Sequence, residues 1–128
     1  ALSSAASDVY KRQDKVAYVN YCGLENDKYH ALAEKYLPNG SCGVVSFGVK
    51  GGRKAAEEFM KHLKLGSIET HVADARTCCL HPASATHRQM NDEELTACGV
   101  YPDLVRYSCG LEDAEDLIAD LEQAFAQI

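Results

Sequence analysis

Apolar residues recur along this chain with two different periods, and the switches between them divide it into short elements. Val16 and Tyr18, followed less regularly by Val19 and Tyr21, predict a strand over residues 15–21 that Gly23 ends. Tyr29, Leu32, Ala33 and Tyr36 fall at spacings of three and four, which predicts a helix from Asn26 to Lys35. Pro38-Asn39-Gly40 stops it with turn chemistry. The run Cys42–Val49 reads as a buried strand, and Gly51-Gly52 leads into a helix with Ala55, Ala56, Phe59, Met60 and Leu63 on one side. Residues 66–73 are weakly patterned and read as extended, and Arg76–Leu80 reads as a short strand.

Asn91 is a candidate N-cap, with Glu94 completing a capping box, for a short helix that closes at Gly99. In Leu104–Cys109 a strand places Val105, Tyr107 and Cys109 on one face and Leu104, Arg106 and Ser108 on the other. Ala114, Leu117, Ile118, Leu121, Phe125 and Ile128 form the stripe of a final helix, with Asp113, Glu115 and Asp116 at its positive end. Each large side chain of that stripe, fully buried, contributes roughly 1.5–3 kcal/mol. Residues 1–13, small and polar without a period, read as a poorly ordered leader or artefact, with helix borrowed from an upstream partner as the alternative. Residues 14–128 then form one domain. This order predicts an α/β chain of the α+β type, with helices packed on one face of a mostly antiparallel sheet.

At 128 residues and 46% hydrophobic content the chain has enough material for one core. A net charge of −6 argues against a nucleic-acid surface, which needs a basic face. No apolar run has the length of a membrane span and no signal-peptide pattern is present, so the expectation is a cytoplasmic protein away from membranes. The six cysteines include no C-x-x-C pair and several lie in apolar patterns, which reads as reduced, packed thiols. His81 and His87 are spaced for neither a helical metal pair nor a zinc motif, so no metal is expected.

Arg106 is the one arginine set inside an apolar strand pattern. Such a residue is a core ion pair, a charge at a sheet end, or an anion clamp whose planar fork fits a carboxylate. Spacing alone favours the two structural roles. His81, Ser84, Thr86 and His87 read as a supporting loop: His-Pro favours extended or turn backbone, and Thr86 can bond backbone nearby. Ser84 has no evident base and orienter in the sequence, which speaks against a hydrolase triad.

The ordered pieces Asp74-Ala75, His81-Pro82-Ala83-Ser84, Thr86-His87, Gly99-Val100, Pro102-Asp103-Leu104-Val105-Arg106 and Gly110-Leu111-Glu112-Asp113 resemble the C-terminal domain of the Cys/Met-metabolism enzymes that use pyridoxal phosphate. So do Tyr21, Gly23-Leu24-Glu25, Lys35-Tyr36-Leu37-Pro38 and Lys50-Gly51-Gly52, and the likeness covers about residues 16–128. It leans to the O-acetylhomoserine sulfhydrylase branch. The resemblance implies the small domain of a fold-type-I enzyme, in which the cofactor serves γ-replacement of acetate by sulfide or a thiol. Cystathionine γ-synthase and methionine γ-lyase are sister readings, and a stand-alone, non-catalytic binding domain is the alternative.

By the same resemblance Arg106 grips the substrate α-carboxylate, with help from the Val72 backbone and the side chain at His71. The sequence departs there from the family, with His71 in place of serine or asparagine and Ala73 in place of glycine. No Ser-x-x-Lys cofactor motif is present. The catalytic residues and pyridoxal phosphate are therefore expected on a missing N-terminal large domain, in a parent that is a homo-oligomer. The chain by itself is expected to be inactive.

Overall fold

The computed structural model describes residues 2–12 and 14–128, with backbone alone at 2–4 and 10. Five strands make one sheet: β1 (Val16–Asn20), β2 (Val44–Val49), β3 (Ser67–Ile68), β4 (Cys78–Leu80) and β5 (Leu104–Ser108). Their spatial order is β1-β2-β5-β4-β3, antiparallel throughout except for the parallel β3–β4 pair at one edge. The helices are α1 (Leu2–Lys11), α2 (His30–Tyr36), α3 (Gly52–His62), α4 (Asp92–Ala97) and α5 (Ala114–Phe125). Mixed α/β architecture with a mostly antiparallel sheet is as the patterning predicted.

Strand alternation decides which face the helices cover. Val45, Phe47, Val49, Val105, Tyr107 and Cys79 point to one face and are fully buried there. α1, α3 and α5 pack on that face, joined by Phe47, Phe59 and Phe125, whose ring centroids lie 4.4–5.9 Å apart. The opposite face carries Ser46, Gly48, Leu104, Arg106, Ser108, Cys78 and Leu80 by the same register. β5 is the central strand, so Arg106 sits mid-sheet on the face the three helices leave alone.

Residues 2–11 correct the expectation of a poorly ordered leader, because they form α1. Ala5, Ala6 and Val9 are fully buried against the core and give the helix a narrow apolar stripe of small side chains. Arg12 fastens the end of α1 to α5: it pairs with Asp8 at 2.8 Å and Glu122 at 2.9 Å. Residue 13, the last of that predicted leader, lies outside the described residues. The helix predicted from Asn26 starts only at His30. Asp27 turns the chain first, accepting the N–H groups of Tyr21 at 3.1 Å and Tyr29 at 2.8 Å.

Other local readings hold in detail. Asn91 accepts the Glu94 N–H at 3.0 Å while the Glu94 carboxylate accepts the Asn91 N–H at 2.9 Å, a complete capping box. Within α5, however, Asp120 is buried at 5% exposure beside the apolar stripe. Its carboxylate accepts three successive backbone N–H groups, from Lys64, Leu65 and Gly66, at 2.8–3.0 Å. A buried charge requires such partners, and here it pins the turn after α3 to the last helix. Of the cysteines, Cys78 and Cys79 are buried free thiols, whereas Cys42 and Cys98 are exposed. No helix among the described residues is long and apolar enough to cross a membrane.

The Tyr107 hydroxyl is buried in this core with no hydrogen-bond partner among the described residues. An unpaired buried hydroxyl costs about 1–3 kcal/mol of desolvation. Tyr107→Phe is therefore expected to leave stability unchanged or raise it by about 1 kcal/mol, read as the urea midpoint. A clear drop would show that the hydroxyl has a partner.

Candidate functional site

Arg106 turns its guanidinium toward the chain that leaves β3. Nη2 donates to the Thr70 carbonyl at 2.8 Å and to the His71 carbonyl at 3.2 Å. Two backbone acceptors fix the plane of the fork, so the group is held rather than waving in solvent. Nε is buried and has no acceptor among the described residues. Nη1 makes none of the bonds found there, and it is the part of the fork left for an outside acceptor. Neither of the two structural roles open from the sequence fits well: no carboxylate among the described residues pairs with Arg106, and β5 is central to the sheet.

The loop that Arg106 holds has an unusual bend. Ala73 has φ 59°, the one non-glycine residue at positive φ among the described residues. Left-handed backbone costs a side-chain-bearing residue about 1–2 kcal/mol. The Ala73 N–H donates to Ser108 Oγ at 3.2 Å, and Ser108 lies two residues past Arg106 on the same strand face. Val72, half exposed, presents its N–H without a partner among the described residues, next to the carbonyls Arg106 holds.

The His71 ring lies outward, with Nδ1 3.7 Å from Asp74 Oδ2. The Arg76 N–H on Asp74 Oδ1 at 2.9 Å, then the Arg76 and His71 charges, hold the Asp74 carboxyl below its ordinary value. The structure thus brings Arg106, His71 and the Val72 backbone together.

The supporting loop lies elsewhere along β5. His81 Nε2 is 2.7 Å from the Pro102 carbonyl, which can only accept, so Nε2 carries the proton. Nδ1 then accepts from Ser84 Oγ at 2.8 Å. The imidazole, 2% exposed, ties the exit of β4 to the entry of β5 and so braces the strand that carries Arg106. Thr86 and His87 bond each other at 2.9 Å and touch neither Arg106 nor its loop. Ser84 does gain a histidine partner that spacing did not reveal, and the histidine is oriented by a backbone carbonyl.

On the same sheet face as Arg106, Tyr18 Oη donates to Asp103 at 3.2 Å, and Tyr18 meets the Tyr101 ring edge-on at 5.7 Å. Burial, then the Asp103 charge, pushes the Tyr18 hydroxyl well above its ordinary pKa. Gly48 lies so close beneath that a Cβ would come within 2.3 Å of the Tyr18 ring. Ser108, Thr77 and Glu112 escaped the sequence reading as site residues. Only Ser108 had a signal, its shared face with Arg106.

A phosphorylated aldehyde cofactor needs a reactive lysine beside a cradle of phosphate donors. Lys61, on the rim of a cavity of about 230 Å³, is committed to Glu58 at 2.8 Å. Lys64 rims a cavity of about 350 Å³ whose other walls include Asp116 and Asp120, the wrong sign for a phosphate. Lys28 and Lys35 lie over the rings of Tyr29 and Tyr36. None of these four lysines stands beside such a cradle.

Comparison with known proteins gives this geometry a context. The sequence model of the family described as "Cys/Met metabolism PLP-dependent enzyme" matches residues 3–126, so the likeness reaches into α1. The O-acetyl-L-homoserine sulfhydrylase 1 of Thermus thermophilus is 47% identical over 114 residues, covering 89% of this chain and 27% of that protein. The homocysteine synthase of Schizosaccharomyces pombe is 43% identical over 120 residues, covering 94% and 28%. The chain therefore spans little more than a quarter of these relatives.

Yeast cystathionine gamma-lyase superposes with a TM-score of 0.90 at 32% identity, over 98% of this chain and 32% of that one. A Campylobacter jejuni protein described as an O-acetylhomoserine (thiol)-lyase, holding a pyridoxyl-lysine monophosphate, superposes at 0.81 and 32% identity, over 98% and 31%.

The bend at Ala73 is open to a direct check. Ala73→Gly removes the left-handed penalty and is expected to raise stability by about 0.5–1 kcal/mol after the extra chain entropy of glycine. A loss of stability would mean the loop does not hold that conformation in solution.

Proposed function

The chain belongs to the Cys/Met metabolism PLP-dependent enzyme family, and from that premise we propose that it forms the substrate-side part of an O-acetyl-L-homoserine sulfhydrylase, a transferase of methionine and cysteine metabolism. Pyridoxal phosphate is the cofactor of this family; in this reading a part of the enzyme outside the chain holds it, and it supplies the electron sink for γ-replacement of acetate by sulfide or a thiol. The chain contributes recognition. Arg106 takes the substrate α-carboxylate through Nη1; the Val72 N–H belongs to the peptide whose carbonyl Arg106 holds and points to its other side, so the guanidinium carries the grip. Holding the carboxylate fixes where the Cα–H bond points, so that binding becomes orientation.

One observation carries this reading: a mid-sheet guanidinium is locked by two backbone carbonyls and still has donors unspent, one of them buried. A carboxylate supplies the acceptors such a fork lacks. The His71 side chain, turned out toward Asp74, serves less directly than the backbone beside it. The likeness to yeast cystathionine gamma-lyase favours a sister activity as the second reading, and the role proposed for Arg106 does not distinguish the two.

Tyr29, Leu32, Tyr36 and Leu37 stand 45–67% exposed along α2 and just past it. Apolar surface of this kind is covered in the whole enzyme, by the large domain or a second subunit.

In the full-length enzyme Arg106→Ala is expected to lower kcat/KM about a hundredfold, the scale of one or two charge-assisted hydrogen bonds, with cofactor content unchanged. Arg106→Lys keeps the charge without the fork and should recover only part of the loss. An unaltered kcat/KM in Arg106→Ala excludes the clamp. The 128-residue chain mixed with pyridoxal phosphate is expected to give no stoichiometric, borohydride-trappable adduct, whereas trapping at one lysine would place the cofactor site here.

A further inference from the structure

Glu112 has no contact with Arg106, yet both grip the same loop. Glu112 Oε1 accepts the Thr77 N–H at 2.7 Å, and Oε2 accepts the Thr77 hydroxyl at 2.7 Å. Thr77 is fully buried, and its Oγ1 in turn accepts the Gly110 N–H at 2.9 Å. Leu111 donates its N–H to the Ala75 carbonyl at 2.9 Å. Gly110 backs so closely onto this stretch that a Cβ would sit 2.4 Å from the Ala75 oxygen, so no larger residue fits without displacing the loop.

The run 106–112 therefore lies along the loop 70–77 in register. Arg106 holds Thr70 and His71, Ser108 holds Ala73, and residues 110–112 hold Ala75 and Thr77. The strained residue is in the middle, and strained backbone persists only where its surroundings over-determine it. Releasing one end lets Ala73 relax, and that relaxation moves the Val72 N–H and the carbonyls that set the plane of the guanidinium.

We infer that Glu112, acting through Thr77, is a positioning residue for the carboxylate site: it fixes the far end of the 70–77 loop and thereby the arrangement of Thr70, His71 and Val72 around Arg106. The inference rests on the carboxylate reading of Arg106. Burial opposes ionisation of Glu112, but the two bonds from Thr77 outweigh it and hold the carboxyl below its ordinary value. The latch is thus charged, with both oxygens accepting.

The test uses the full-length enzyme with its cofactor and two probes, L-norvaline and L-norvalinamide, which differ only in carboxylate against carboxamide. The ratio of their Kd values reads the grip on the acid end, independent of chemistry further along the side chain. Glu112→Ala and Thr77→Val are each expected to shrink that ratio on the order of ten- to a hundredfold while the cofactor absorbance stays unchanged. Thr77→Ser keeps both donors and is expected to preserve it. A ratio unchanged in Glu112→Ala, or in Thr77→Val where Glu112→Ala fails to fold, overturns the inference while Arg106→Ala still collapses it. If Arg106→Ala itself leaves the ratio intact, the carboxylate reading fails and this inference falls with it.

Discussion

The backbone between β3 and β4 takes its shape from something other than a strand. Beyond Ile68 the parallel pairing with β4 ends, and residues 70–76 lie outside the ladder that the Thr77 carbonyl enters by accepting the Ser67 N–H at 2.9 Å. Most of this loop is exposed, so water can satisfy its backbone groups, and what partners from the chain add is a fixed conformation. The chain supplies them from one seven-residue run, 106–112, in which Arg106, Ser108, Gly110, Leu111 and Glu112 each bond a residue between Thr70 and Thr77. Three of these are side chains on strand or strand exit. The function proposed for the chain depends on this solution, because the loop so held is the one that frames Arg106.

β5 serves two masters through simple alternation. Val105 and Tyr107 enter the core with Phe47 and Cys79 behind them, while Arg106 and Ser108, one residue away in each case, reach the loop on the far face. Packing of α1, α3 and α5 on the first face gives the strand a rigid back. A side chain on such a strand is placed more accurately than one on a loop. The loop is then fixed to the strand instead of carrying the guanidinium itself. Burial of the Cys109 thiol, pushed up to about 12, keeps a potential nucleophile next to this region inert.

Much of this was legible in the sequence wherever one period dominated. The faces of β5, the capping box at Asn91 and the stripe of α5 follow from spacing alone, and so does the placing of Arg106 and Ser108 on one side. α1 was missed because its contact face is made of Ala5, Ala6 and Val9, residues too small to raise a hydrophobic period yet small enough to let a helix approach α5 closely. Asp120 breaks the reading of α5 as a purely apolar face, since its three partners lie more than fifty residues upstream. Glu112 and Thr77 are 35 residues apart, and nothing in either neighbourhood announces the other. Contacts of that kind depend on strand order, which a single sequence expresses only weakly.

Ala73 sharpens the relation between strain and recognition. A glycine there would adopt φ 59° at little cost, and the resemblance makes glycine the usual residue. With alanine, the loop keeps its bend only because Arg106, Ser108 and Glu112 hold it on either side, so some of the stability of β5 is spent on the shape of its neighbour. Such a loop is fixed before any ligand arrives. On the proposed reading, a carboxylate that reaches Nη1 meets a donor already in place and need not order it, and a preformed site loses less entropy on binding. The same rigidity bears on selectivity: a carboxamide offers one acceptor where a carboxylate offers two, and its N–H pair would face a guanidinium that can only donate.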